Sequence, residues 1–272
     1  MAAAAAFALT TTLLIVGSYA VTTLKVDDDK PLQFTYSGDM GPDRWAALNP
    51  NFSLCAKGKS QSPIDIVTAQ AVVNPKLKPL VREYNSVDVT LVDYKFTVGI
   101  EYPNHTGGII FDGKKYSFKQ MHWHSPSEHR INGRRFAAEL HMVHVADDGQ
   151  IAVVATLYKY GRPDPLLASI YSKLNEMAVR VGSEEKSPAI PFGPFHPPEI
   201  RRTPKKYYRY VGSFSAPPCT ENIPYIVLAE ELSISEEQVQ ALKGPLDMRC
   251  KNNARPSQPT NGRPVEAYED HH

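Results

Sequence analysis

Residues 119–144 read KQMHWHSPSEHRINGRRFAAELHMVH and hold five of the nine histidines of the chain. His122 and His124 flank Trp123 in a segment that reads as a strand, and residues two apart on a strand point to the same face. Gln120, His122 and His124 therefore share a face. The stretch from Phe136 to Val145 reads as a second strand, on which Glu139, His141 and Val143 share one face while His144 points to the other. A polar turn containing Asn132-Gly133 lies between the two. If the strands pair, His141 lies opposite the His122/His124 pair and three neutral imidazoles converge on one point. Three histidines with an open fourth position are what a catalytic zinc site requires, because a closed shell of four protein ligands leaves no room for a reactive water.

A single histidine on a strand is more often a hydrogen-bonded core residue than a ligand. His129 and His144 keep that reading, as buried residues that tie loops to the sheet. His-x-His near a strand that carries both a carboxylate and a histidine is a stronger signal. Gln120 and Glu139 lie two residues from candidate ligands on the same faces, where each side chain can accept the second ring proton and fix the tautomer.

The rest of the chain is rich in strand signals. Val, Ile, Tyr, Phe and Thr cluster from Val87 to Glu101, from Gly108 to His124 and from Gln150 to Tyr160, with turn signals at Pro103-Asn104 and Asp112-Gly113. Leu166, Leu167, Ile170, Tyr171, Leu174 and Met177 recur at helical spacing and predict a helix from Pro165 to Val181. A second, short helix is expected to start at Ser235, where Ser-Glu-Glu-Gln forms a capping-box pattern, and to run to about Lys243. Prolines crowd Ser187 to Pro204 and Arg255 to Pro264, and both segments are expected to be ordered coil over the sheet. Residues 266–272 read as a tail.

The chain has 272 residues, 42% of them hydrophobic, enough for one large domain with a real core. Its 30 Lys+Arg against 29 Asp+Glu leave a net charge of +1, which gives no reason to expect nucleic acid or an acidic membrane as partner. Met1 to Leu24 carries no charge, and its apolar run ends near Ser18-Tyr19-Ala20, so residues 1–20 read as a secretory signal peptide and 21–33 as a flexible leader. An uncleaved anchor is the second reading of that segment; after cleavage no stable membrane insertion is expected. Secretion to the cell exterior or apoplast is the first expectation for the compartment, with vacuole or plastid as the alternatives. Asn51-Phe-Ser and Asn104-His-Thr satisfy the N-glycosylation pattern.

Several stretches together resemble one family. QMHWHSPSEH followed by AAELHMVH is similar to the zinc-binding core of the alpha-class carbonic anhydrases, and GPDRW at Gly41, QSPIDI at Gln61, YRYVGSFSAPPCTEN at Tyr208 and NNARPSQP at Asn252 resemble family landmarks in the family's order. SPSEH, GRPDP and PPCTEN are similar to the plant branch, which includes the dioscorin storage proteins of yam tubers.

The resemblance implies a mainly β fold over residues 34–265, with a large twisted, mostly antiparallel central sheet and a few short peripheral helices. It implies Zn2+ held by His122, His124 and His141, a zinc hydroxide formed near neutral pH, and reversible hydration of carbon dioxide to bicarbonate. Val143 and Val153 match the family's apolar substrate pocket. Glu128 matches a buried glutamate that takes a proton from a hydroxyl side chain, and Ser215 stands where that hydroxyl is usually a threonine's. Phe214 replaces a usual leucine at the pocket mouth, and Phe96, which cannot titrate, lies where many relatives carry a proton-exporting histidine. His105 is a weak substitute for it. Cys55 and Cys219 coincide with the family's disulfide, leaving Cys250 over. The competing expectation is a storage or binding protein that kept the fold and lost much of the chemistry; all three zinc ligands are present here, which favours the enzyme.

Overall fold

The computed structural model describes residues 32–103, 106–183, 189–195 and 203–270. Its centre is a 13-stranded sheet with β12-β4-β5-β7-β10-β11-β14-β13-β16-β2 as its main path. In chain order the strands are β1 (Asp65–Ile66), β2 (Val72–Val73), β3 (Val81–Tyr84), β4 (Val87–Asp93), β5 (Val98–Glu101), β6 (Gly107–Phe111), β7 (Lys114–His124), β8 (Arg130–Ile131), β9 (Arg134–Arg135), β10 (Ala138–Val145), β11 (Ile151–Tyr160), β12 (Ala189–Phe195), β13 (Lys206–Ser213), β14 (Glu221–Leu228), β15 (Leu232–Ile234) and β16 (Glu266–Glu269). Most pairs are antiparallel, whereas β11 pairs β14 and β15 in parallel and β16 pairs β2 in parallel. The protein is thus mainly β, around a large mixed sheet. The helices are α1 (Trp45–Leu48), α2 (Leu54–Lys57), α3 (Pro165–Gly182) and α4 (Glu236–Lys243).

β7 and β10 pair as the sequence requires. His141 lies opposite His122 and Glu139 opposite His124. The Asn132-Gly133 turn sits in a separate small hairpin of β8 and β9, and both residues take positive φ (51° and 77°), the geometry that two-residue hairpin turns favour. Asp112 and Gly113 do the same between β6 and β7. Every residue of β10 is buried, because both faces of this central strand are covered. Leu140 and Met142 join the larger core, where Leu166, Leu167, Ile170, Leu174 and Met177 of α3 also pack. Val143 joins a second core with Val153, Tyr210 and Tyr225. Glu139 and His141, which alternate with Leu140 and Met142 along β10, lie on this second face.

Two expectations change. The proline-rich segment is not all coil: Ala189–Phe195 forms β12 on β4, at the end of the main path. Pro191 and Pro194 are tolerated there because an edge strand needs only one side of its backbone for the ladder. Residues 266–269 are likewise not a tail, since β16 is hydrogen-bonded between β13 and β2, and Tyr268 stacks on Tyr207 at 4.9 Å. The domain therefore reaches at least Glu269. Residues 1–31, with the expected signal peptide and most of the leader, lie outside the described residues, as do Asn104 and His105. No helix among the described residues is long and apolar enough to cross a membrane.

Candidate metal centre

His122, His124 and His141 are buried and bring one ring nitrogen each to within 4.8 Å of the others. Each ring is aimed by a bond at its far nitrogen. Nδ1 of His122 donates to Oε1 of Gln120 at 2.8 Å, Nδ1 of His124 to the carbonyl of Asn253 at 2.6 Å, and Nε2 of His141 to Oε1 of Glu139 at 2.7 Å. These bonds leave lone pairs on Nε2 of His122, Nε2 of His124 and Nδ1 of His141 directed at a common point. Nε2 of His124 is buried with no hydrogen-bond partner, an arrangement that is costly unless something else engages it. β5 approaches closely behind this site. Gly99 lies opposite His122, and a Cβ there would come within 2.6 Å of the Tyr94 ring and 2.8 Å of the Met121 carbonyl.

Electrostatics prepare the rings for a cation. Burial, and then the neighbouring His124 and His141, hold the His122 pKa well below the ordinary histidine value. Burial likewise lowers His124, against the pull of Glu128. Burial lowers His141 too, but the charge and hydrogen bond of Glu139, followed by Glu128, outweigh it and raise this histidine. His141 would have to be neutral at Nδ1 to serve as a metal ligand. Burial alone would raise Glu139, yet His129 and His141 hold it well below the usual carboxylate range. Its Oε1 also accepts from Nδ1 of His129, and its Oε2 accepts from the backbone N–H groups of Glu128 and His129 at 2.8 and 2.7 Å. Three neutral nitrogen donors around a buried point fit zinc.

The other expected residues fall around this point. Val143 and Val153 are opposite each other on β10 and β11, and Phe214 packs against their cluster. Glu128 is fully buried; its Oε1 accepts from the Arg255 backbone N–H at 3.0 Å, while Oε2 has no hydrogen-bond partner and lies 3.5 Å from Nε2 of His124. Ser215 is buried too, but among the described residues no hydrogen bond joins it to Glu128. The expectation for Phe96 changes: it is buried in the opposite core with its ring 4.9 Å from that of Phe34, so it does not stand at the proton-exporting position of the pocket.

Cys55 and Cys219 are bonded, and Cys250 is free and buried. Asn51 is exposed in a short turn. His129 and His144 are buried and hydrogen-bonded, to Tyr210 at 2.6 Å and to Tyr84 at 2.9 Å. Asn253 and Arg255 are the contributors that sequence reasoning missed. Asn253 also holds the strand that carries the ligands, its side chain bonding the Ser125 N–H and the carbonyls of Phe96 and Trp123.

Comparison with known proteins agrees with this geometry. The sequence model of eukaryotic-type carbonic anhydrases matches residues 40–269. Alpha carbonic anhydrase 7 of Arabidopsis thaliana is 37% identical over 94% of this chain and 92% of the relative, and dioscorin dioA3 of Dioscorea japonica is 35% identical over 94% of each. Among solved structures, dioscorin complexed with ascorbate superposes with a TM-score of 0.82 at 35% identity, covering 87% of this chain and 98% of that one. The alpha-carbonic anhydrase of Thermovibrio ammonificans with the inhibitor sulfanilamide gives 0.76 at 33% identity, covering 87% and 100%. The family model spans most of the chain, and the relatives align over nearly their whole length, so this protein belongs to the eukaryotic-type carbonic anhydrase family, among its plant members.

Proposed function

We propose that the chain binds one Zn2+ through His122, His124 and His141 and hydrates carbon dioxide reversibly to bicarbonate and a proton. The observation that carries this reading is the set of three inward lone pairs, each fixed by its own outward hydrogen bond. When bound, zinc supplies the Lewis acidity that makes a nucleophile of water near neutral pH. The protein supplies the rest. Gln120, Glu139 and the Asn253 carbonyl hold the rings in the metal-binding tautomer. Val143 and Val153 offer an apolar wall to an uncharged substrate and exclude competing water, and Phe214 narrows the same side. Glu128 brings a carboxyl whose Oε2 has no hydrogen-bond partner beside the reaction point, where it can accept a hydrogen bond from a hydroxyl.

One feature favours slow turnover and keeps a storage or binding role as the second reading: Phe214 crowds the pocket; dioscorins, with which the chain shares about a third of its residues, are the relatives that make this reading concrete. Entry into the secretory pathway is supported by the Cys55–Cys219 bridge, which needs an oxidising compartment, and by the exposed Asn51 glycosylation triplet. Stopped-flow hydration of carbon dioxide with zinc analysis of the same sample tests the proposal. One zinc per chain and measurable hydration, both lost in His141→Ala, are expected. Full zinc without hydration leaves the storage reading. In an active enzyme, Phe214→Leu is expected to raise kcat/KM, because access and attack precede proton export.

A further inference from the structure

The turn between β4 and β5 places an aromatic ring beside the metal site. Gly99 and Glu101 of β5 stand opposite His122 and Gln120 of β7, so all four point to the metal face, while Ile100 between them faces the larger core. Residues directly opposite on paired strands have their Cβ atoms about 4.5–5.5 Å apart. Position 99 carries no side chain, and the place one would take is filled by Tyr94. A Cβ on Gly99 would lie 2.6 Å from Cε2 and 3.3 Å from Cδ2 of that ring. From there the phenol runs along β5, and its hydroxyl donates to Oε1 of Glu101 at 3.0 Å. The ring thus spans the row from Gly99 to Glu101, one strand away from the row of His122 and Gln120. The backbone N–H of Tyr94 is held too, donating to the Thr97 carbonyl at 2.9 Å in a turn whose Lys95 takes a φ of 66°. Tyr94 is 2% exposed and belongs to the larger hydrophobic cluster, which therefore reaches round to the metal face at this end of β5.

We propose that Tyr94 is a specificity-determining residue of the metal pocket: seated on Gly99 beside His122, its ring forms the β5 wall and confines the site to ligands of a few atoms, such as carbon dioxide and bicarbonate. The inference rests on the hydratase reading for its ligand and on the packing of the chain for its geometry. A side chain rooted at position 99 would project from the strand and choose among its own rotamers. A ring that enters from the turn and is tied at both ends swings aside only by breaking its bond to Glu101. Burial, then the charge and hydrogen bond of Glu101, push the ionisation of the phenol above the ordinary tyrosine value, so the hydroxyl keeps the proton it donates. Val143 and Val153 bound the pocket from β10 and β11, with Phe214 packed against their cluster. Tyr94 bounds it from the side of β5. A small linear substrate passes between such walls, whereas a benzene ring on a metal ligand needs the space that the phenol occupies.

Calorimetric titration of the zinc-loaded protein tests this with two probes: azide, a small linear anion, and sulfanilamide, which carries a benzene ring. Tyr94→Ala is expected to tighten sulfanilamide about tenfold or more and to change azide by less than about threefold, because a steric wall discriminates by size. Tyr94→Leu, which keeps part of the volume, should move in the same direction by a smaller factor, and it carries the test if the alanine variant does not fold. Tyr94→Phe keeps the ring and should discriminate as the parent does. Equal changes for both probes, no change for either, or a phenylalanine variant that behaves like the alanine one would overturn the proposal. A parent that takes up no zinc defeats the hydratase reading instead. The crystal structure of metal-free Tyr94→Leu then decides the wall by itself: the vacated space is expected to open onto the His122 ring, and a space sealed off from that ring overturns the assignment.

Discussion

Glu139 shows how much of the site one residue can carry. Its two oxygens accept four hydrogen bonds, two from histidine rings and two from backbone N–H groups. Glu139→Gln replaces an ionised acceptor with a neutral amide whose NH2 cannot accept, so either the two rings or the two backbone N–H groups lose their acceptor, and the rings lose the negative charge in any case. Zinc affinity measured by chelator competition is expected to fall roughly ten- to a hundredfold, and a variant that binds as tightly as the parent would remove Glu139 from the site. This residue was legible in the sequence, as were the three histidines and Gln120, because residues two apart on a strand share a face and alternation alone brings them together. Asn253 was not legible as the partner of His124. Its contribution to that ring is a backbone carbonyl 129 positions away, and every residue type has one. The hold of Arg255 on Glu128 is equally anonymous, through a backbone N–H. Ser215 is buried, but no hydrogen bond among the described residues joins it to Glu128, a detail of packing that no spacing reveals.

At the scale of elements, the strands and helices with regular patterns were legible and those with conflicting composition were not. α3 runs from Pro165 to Gly182 and α4 begins after Ser235, both close to the periodicity and capping signals that announce them. β12 contains two prolines and a glycine, and its strand character comes only from the edge of β4, so local composition points the wrong way. The capping residues also join the two helices. Gln238, the third residue of α4, completes the capping box with Ser235; its Oε1 accepts from the backbone N–H of Asp164, the N-cap of α3, and its Nε2 donates to the Asp164 carbonyl. One buried amide thus serves two helix starts. Ser235→Ala is expected to cost about 1 kcal/mol, the usual value of a cap, whereas Gln238→Ala strands buried backbone groups at both helix ends and is expected to cost about 2–4 kcal/mol. Urea unfolding of the two variants checks the order; equal losses would mean that the link between the helices contributes nothing.

The whole molecule is tied at one end by a bridge and at its centre by buried neutral histidines, and each has a measurable signature. Cys55 and Cys219 are 164 residues apart, and closing so long a loop stabilises the fold by about 4–5 kcal/mol in the chain-entropy account. Cys55→Ser is therefore expected to lower Tm, while Cys250, buried and with its thiol pushed up to about 12 chiefly by burial, should remain unlabelled by thiol reagents until the chain unfolds. Acid acts on the histidines. Burial lowers His122 and His124, and it lowers His144 to about 3. An unfolded histidine takes up its proton near pH 6.5, so below that value the unfolded chain binds protons that the folded chain refuses, and stability falls with pH until about pH 3 for His144. His141 has the opposite sign, because its raised value favours the folded state where it is protonated. His144 can be isolated from these effects, since it faces the other core and bonds Tyr84. Between pH 6.5 and 5.0 its contribution to the loss is about 2 kcal/mol, from about 1.4 kcal/mol per unit. Urea unfolding of the metal-free protein at pH 7.5 and 5.0 should show a loss about that much smaller in His144→Gln than in the parent. Equal losses would mean that His144 titrates normally in the folded protein, and therefore that water or another group reaches it inside the sheet.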